Sequence, residues 1–534
     1  MTEHSSTGSW VIRGGLVADG SGGEPRANDV VVENGTIAAV EPPGRLGHDR
    51  LPILDVSKLV VAPGFIDVHS HADNAPLLAE DDTTKILQGV TTEVVGNCGF
   101  SLAPSMGEHA AELADLLGRL FPIEEVSWRG IESLWTATDS AGYVTNYAPL
   151  VGHGTLRIAA MGMQDRSPSP AELDVMTSLL DECLDAGAFG FSSGLIYPPG
   201  MFAHTPELVR LAGRLRDGRL YATHLRNEGA RLLESIDEAL TIGRGASCRV
   251  QVSHLKSAGR PNWGGVDRAL ETLRDARAHG VDAGQDVYPY DASSTMLTSC
   301  LPSWFQDGGG PAVLARLADP SSLRAARAEI EGDPRGGFEN QVNGAGYDGI
   351  LIASTASHRH EGRTLTEIAE TLGVSPFDAM VTVLRDEALR VSMVLFSMTE
   401  RDVEAVLADP ATMIGSDGLP PGVGGRAHPR LYGTFPRVLG RFVRDRGLLG
   451  LGEAVAKMTS LPAQTFGLRR RGRVDPGFIA DLVAFDPDTV SDVGSYADPV
   501  HSPTGISWVM QAGHVVVRDG EWSGLRLGAR LTPG

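Results

Sequence analysis

Short apolar runs separated by turn residues open the chain. Residues 10–15, 29–35 and 36–40 alternate in the manner of strands, and Asn34-Gly35 between the last two predicts a tight hairpin. The far end reads alike: residues 480–485 and 513–517 are strand-like, and Asp519-Gly520 is a turn signal. Neither end alone holds enough apolar residues for a core, so both are predicted to pair into one small β-sandwich. Between them, apolar strands alternate with amphipathic helices. The predicted strands are 60–71, 90–97, 147–153, 189–193, 220–224, 248–254, 281–287 and 412–417. The predicted helices include 83–88, 170–186, 206–216, 232–244, 266–279 and 400–408. Asp81 and Asp82 suit the start of the first helix, and Gly89 its end.

Eight strands in βα units predict an α/β fold, a (β/α)8 TIM-like barrel in which chemistry gathers at the C-terminal ends of the strands. A doubly wound open sheet fits less well, since its glycine-rich phosphate loop is not found in the right place. The expected division is 1–60 for the first part of the sandwich, 61–465 for the barrel and 466–534 for the rest of the sandwich. Residues 298–347 are too many for an ordinary loop and predict an inserted subdomain or a lid.

Composition narrows the partners. Of 534 residues, 42% are hydrophobic and 21% charged, the balance of a globular protein. The formal net charge of −21 argues against a nucleic-acid or anionic-membrane partner, which requires a basic face. A small-molecule substrate remains, and association with further copies of the chain is left open. The opening residues Met1-Thr2-Glu3-His4-Ser5 show no secretory signal, and no apolar run is long enough to span a membrane, so the expected setting is the cytoplasm. Cys98, Cys183, Cys248 and Cys300 lack paired spacing and read as free thiols. Lysine is scarce: only Lys58, Lys85, Lys256 and Lys457 occur.

Metal-capable residues coincide with strand ends. His69 and His71 close the first strand and point the same way, because side chains on a strand alternate. Cys98 follows the second strand, His224 and His254 end two later ones, and Asp417 ends the last. Alone, Cys98 reads as a small buried residue, either later histidine as a hydrogen-bonded core residue, and Asp417 as a turn residue before Gly418. A barrel brings all of them to one pocket, and together they predict a metal centre.

These residues sit in motifs that resemble the amidohydrolase superfamily and, within it, the N-acyl-D-amino-acid deacylase (D-aminoacylase) family. The likeness covers nearly the whole chain. Its motifs are Pro63-Gly64-Phe65-Ile66-Asp67-Val68-His69-Ser70-His71, Gln88-Gly89-Val90-Thr91-Thr92 and Gly96-Asn97-Cys98-Gly99-Phe100-Ser101. They continue with Leu150-Val151-Gly152-His153-Gly154-Thr155-Leu156-Arg157, Tyr288-Pro289-Tyr290 and His428-Pro429-Arg430-Leu431-Tyr432-Gly433-Thr434-Phe435-Pro436. Gly477-Phe478-Ile479-Ala480-Asp481-Leu482-Val483 resembles the superfamily's return to its sandwich. The glycine-rich segment 419–427 departs from the family pattern.

The resemblance implies zinc held tightly by Cys98, His224 and His254. It also implies a second, weaker site at His69 and His71 with Asp417 nearby, and a substrate carboxylate oriented by Tyr197, Lys256, Tyr288 and Arg430. The lysine scarcity agrees: the bridging lysine used by many binuclear amidohydrolases has no good candidate here, and a Cys98 thiolate can supply the negative charge instead. The implied reaction is hydrolysis of an N-acyl-D-amino acid to a carboxylate and a D-amino acid, with Asp417 as general base and acid. A cyclic amide hydrolase of the hydantoinase or dihydroorotase type is the alternative enzyme. A non-catalytic scaffold is the alternative from another class, and the full set of ligands speaks against it.

Overall fold

Strand pairing sorts the apolar runs into a barrel and flanking sheets. The computed structural model describes residues 8–45, 51–105, 107–121, 123, 126–332, 338–419 and 425–534. The opening residues 1–5 and positions 420–424 of the glycine-rich segment lie outside them. Among the described residues, eight parallel strands follow one another in chain order. They are β1 (Phe65–Asp67), β2 (Val90–Val95), β3 (Asn146–Gly152), β4 (Gly190–Gly194), β5 (Leu220–His224), β6 (Arg249–Val252), β7 (Ala283–Val287) and β8 (Thr412–Ile414). The ends of β8 and β1 meet in a parallel bridge between Ser70 and Gly418. There Asp417 N donates to His69 O at 2.7 Å, and His71 N donates to Gly418 O at 3.0 Å. This is the (β/α)8 barrel that the alternation predicts.

Local chemistry explains the helices that cover it. Helix Pro170–Asp185 begins in a capping box: Glu172 N donates to Ser169 Oγ at 3.3 Å, and Ser169 N donates to the Glu172 carboxylate at 2.7 Å, with proline pre-set at the first position. Thr399 caps helix Glu400–Ala408 with a single bond, accepting from Asp402 N at 3.1 Å. The helix predicted over 83–88 is only a 3-10 turn, Ile86–Gln88. Gly89 stops it at φ +89°, and so short a segment cannot repay helix nucleation.

The predicted strand 60–71 is two strands in two different sheets. Val60–Pro63 pairs antiparallel with Leu482–Phe485 in the terminal sheet, and the chain crosses to β1 at Gly64. A Cβ on Gly64 would lie 2.4 Å from the Thr91 side chain, so glycine lets the strand pass. Of the two terminal sheets, one is built from strands before residue 56 and the other joins strands from both chain ends. Ile12, Val30, Val32, Ile37 and Val61 pack against Leu482, Ala484, Trp508 and Met510 as one core. The hairpin residues Asn34 and Gly35 take φ +50° and +76°, as a tight two-residue turn requires.

The excursion between β7 and β8 is longer than the sequence suggests. Its helices include Gly309–Ala318 and Pro320–Ile330, but the apolar runs Ile350–Thr355 and Val391–Leu395 also belong to it. They pair antiparallel with each other, and Val391–Leu395 also pairs with Ser293–Met296, forming a small sheet separate from the barrel. A separate core, from Leu297 to Leu395, lies beneath it. No helix among the described residues is long and apolar enough to cross a membrane.

Candidate metal centre

Side chains from five barrel strands converge at one end of the barrel. His69 and His71 follow β1, Cys98 follows β2, His224 ends β5, His254 follows β6 and Asp417 follows β8, and all six are buried. Ligand atoms of His69, His71, Cys98 and Asp417 lie within 4.8 Å of one another, as do those of Cys98, His224 and His254. Cys98 is thus common to both groups. Its Sγ is 3.3 Å from His69 Nε2, 3.8 Å from His224 Nδ1 and 3.6 Å from His254 Nε2. A tetrahedral zinc with ordinary Zn–N and Zn–S bonds sets its nitrogen and sulfur donors about 3.5 Å apart. The donor set therefore fits zinc in both chemistry and spacing.

The backbone is bent to make this possible. Cys98, His254 and Asp417 have φ of +53°, +34° and +50°, in the left-handed region that side chains rarely occupy. Each bend is held. Gly96 and Gly99 flank Cys98 at φ +79° and +77°, and Gly99 N donates to Ser192 Oγ at 3.1 Å while that hydroxyl donates to Gly96 O. A Cβ on Gly194 would come within 2.1 Å of the Cys98 carbonyl, so β4 presses its bare backbone against the loop. His254 N donates to Asp286 Oδ1 at 2.8 Å, and Asp417 N is fixed by His69 O across the barrel seam.

Behind the ligands stand carboxylates. Glu228 faces His254 Nδ1 at 3.0 Å and His224 Nε2 at 3.3 Å, and accepts two bonds from Lys256 Nζ at 2.7 Å each. Asp286 faces His69 Nδ1 at 3.4 Å. Such partners fix the orientation and tautomer of a ligating imidazole. Asp417 Oδ1 is 3.2 Å from His71 Nε2 and 3.6 Å from His69 Nε2, and its other oxygen pairs with Arg430 Nη1 at 2.9 Å.

The electrostatics follow. Burial works against a Cys98 thiolate, but the charge of His69 and hydrogen bonds from His224, His254 and His69 outweigh it and hold the thiol well below its usual range. Burial would likewise raise the Asp417 carboxyl, yet Arg430 and the bond from His71 hold it well below the usual carboxylate range. Burial favours neutral His71, but bonds to Asp417 and Cys98 raise it to about 9. For His224 burial prevails and lowers it.

The four residues expected at the substrate are drawn to the same place. The Tyr197 ring lies 5.0 Å from His224, and its hydroxyl is 2.9 Å from that of Thr295. The Arg430 guanidinium sits over the Tyr288 ring at 4.6 Å, and Lys256 Nζ lies 5.7 Å from the same ring. Arg430 opens helix Arg430–Arg437, and its Nη2 donates to Ser294 O at 3.2 Å. Both cations already face a protein carboxylate, Glu228 or Asp417. Sequence reasoning missed Glu228 and Asp286. Asp286 carried a usable signal, being a carboxylate one residue before the C-terminal end of a barrel strand. Glu228 lies on a loop four residues beyond His224, where a carboxylate ordinarily reads as solvated.

Known proteins share this arrangement of chain and fold. A family model described as "Amidohydrolase family" matches residues 323–517. A D-aminoacylase of Alcaligenes xylosoxydans xylosoxydans is 37% identical, over 98% of this chain and 97% of the relative. An N-acyl-D-aspartate deacylase of the same organism is 36% identical, over 98% and 95%. The crystal structure of an N-acyl-D-glutamate deacylase from Bordetella bronchiseptica, complexed with zinc and a phosphonate mimic of the tetrahedral intermediate, superposes with a TM-score of 0.80 at 36% identity, covering 98% of this chain and 99% of that one.

Proposed function

The chain belongs to the N-acyl-D-amino-acid deacylase family of amidohydrolases, and from that premise we propose that it hydrolyses N-acyl-D-amino acids to a carboxylate and a free D-amino acid. The observation that carries this reading is Cys98, buried and common to both donor groups, with a thiol that the surrounding histidines hold well below its usual range. Neither nearby lysine competes for that place. Lys256 is held by Glu228, and Lys85 lies behind the barrel seam against Asp67 and Glu93 at 3.4 and 3.3 Å.

Cys98, His224 and His254 would hold one zinc, and His69 and His71, with Cys98 shared and Asp417 beside them, a second of lower affinity. Bound zinc supplies a Lewis acid for the amide carbonyl and lowers the pKa of water towards neutrality. Asp417, ionised and aimed at the ligands, takes the proton of the attacking water and returns it to the departing amine. Arg430, Tyr288, Tyr197 and Lys256 orient the substrate carboxylate, with the planar guanidinium suited to a two-point contact. Four free thiols support a reducing, cytoplasmic setting.

The test is hydrolysis of paired N-acetyl D- and L-amino acids, with and without zinc, alongside hydantoins. Turnover of the D series alone, dependent on metal, is expected. Turnover of hydantoins without the linear N-acetyl-D substrates would point to a cyclic amide hydrolase instead.

A further inference from the structure

A buried charge cluster lies behind the His69–His71 side of the metal centre. Its cation is Lys85, one of only four lysines in the chain. Lys85 precedes the 3-10 turn Ile86–Gln88 between β1 and β2 and is 1% exposed. Its Nζ lies 3.4 Å from Asp67 Oδ2, and donates to Glu93 Oε2 at 3.3 Å and to Ser70 Oγ at 3.2 Å. Asp67 and Glu93 are both buried and pair in register on β1 and β2.

The cluster grips the β8–β1 seam from both sides. Asp67 Oδ1 accepts from His69 N at 3.2 Å and from Ser416 N at 2.8 Å, and Asp67 Oδ2 accepts from Ser416 Oγ at 2.5 Å. That hydroxyl in turn accepts from Gly418 N at 3.1 Å. The residues on either side of Asp417 are therefore both tied to Asp67, one directly and one through a hydroxyl. Ser70, between the two histidines, donates to Glu93 Oε2 at 2.6 Å, and the other Glu93 oxygen accepts from Thr145 Oγ1 at 2.6 Å. A Cβ on Gly418 would stand 3.3 Å from Lys85 Nζ, so the ammonium lies against bare backbone there.

Asp417 needs such a frame. Its φ of +50° is a costly conformation that persists only where the surroundings fix it. Without Lys85, Asp67 and Glu93 would be buried like charges on adjacent strands, with the seam hung on them. Lys457 offers a contrast. It too is buried, but it donates to Asp409 O ahead of β8, at the opposite end of the strand from Asp417.

We propose that Lys85 is a positioning residue for the hydrolysis: through Asp67, Ser70 and Glu93 it fixes the seam and so sets Asp417 against His69 and His71. This rests on the deacylase reading, with Asp417 as the proton carrier. The experiment measures kcat, KM, zinc content and melting temperature with N-acetyl-D-amino acids for the wild type, Lys85→Met, Ser416→Ala and Lys457→Met. It adds Asp417→Asn, alone and combined with Lys85→Met. Lys85→Met is expected to keep the first zinc equivalent and to lower kcat about 100-fold, the scale of a misplaced reacting group, with a smaller change in KM. Ser416→Ala cuts only the hydroxyl link and should lower kcat about tenfold. In the combined variant Lys85→Met should add little to the loss from Asp417→Asn, because a residue acting through Asp417 has nothing left to position. Lys457→Met should lower the melting temperature and keep kcat. Unchanged kcat in folded Lys85→Met, losses that multiply in the combined variant, or an equal loss in Lys457→Met overturns the proposal alone. Should Lys85→Met not fold, unchanged kcat in Ser416→Ala overturns it. No turnover of any N-acetyl-D-amino acid by the wild type overturns the deacylase reading and the proposal with it.

Discussion

The two halves of the metal centre share Cys98 and differ in what stands behind it. His224 and His254 come from neighbouring strands, paired at Thr223 and Val252, and one carboxylate, Glu228, steadies the far nitrogen of both rings. Lys256 in turn neutralises Glu228, so this half is a rigid and nearly charge-balanced set of donors. The other half straddles the β8–β1 seam. His69 has only Asp286 behind it, at 3.4 Å, and Asp417 is divided between two histidines and Arg430. A group that must trade protons and answer to a guanidinium cannot also be a dedicated ligand. On the proposed reading, metal holding falls to the first half and proton transfer to the second.

The widest break should come at the shared atom. Cys98→Ala is expected to strip metal from both halves and bring turnover to background, read by metal analysis and kinetics together; retained zinc with full activity would remove the bridging role. Asp417→Asn should separate the halves: near-normal zinc content, with kcat down about 1000-fold, within the range for loss of a general acid–base. Near-normal kcat in that variant removes Asp417 as the proton carrier. Glu228→Gln tests the backing of the first half. It should weaken zinc about 10–100-fold, as loss of a partner to ligating histidines typically does, with kcat largely recovered at saturating metal. His71→Asn sharpens the ranking, since only the second equivalent of metal should be lost; loss of the first would reverse the order of the sites. The smallest effect is expected from Ser192→Ala, which leaves Gly99 N and Gly96 O without their hydroxyl partner. A destabilisation of about 1–3 kcal/mol in denaturant unfolding fits a buried hydrogen bond lost on one side.

Much of this was legible in the sequence because barrel strands write their function at their ends. His69, His71, Cys98, His224, His254 and Asp417 each close a recognisable apolar run, and the barrel rule alone gathers them. Glu228 escaped because nothing on its loop announces burial; its role exists only once β5 and β6 lie side by side. The single run 60–71 hid a change of sheet, since apolar content does not say which neighbour a strand will find. The same ambiguity shortened the expected excursion. Residues 350–355 and 391–395 are as apolar as barrel strands, and only their antiparallel pairing sets them apart.

The seam has a consequence for biosynthesis. Cys98, His224 and His254 all lie in the first half of the chain, so the donors of the tight site have left the ribosome once residue 254 has emerged. His69 and His71 must wait for Asp417 and Gly418, which arrive only after the whole excursion between β7 and β8 has been made. Translation therefore delivers Cys98, His224 and His254 well before Asp417. Within the barrel, the last contacts to become possible are the ones that set Asp417 beside His69.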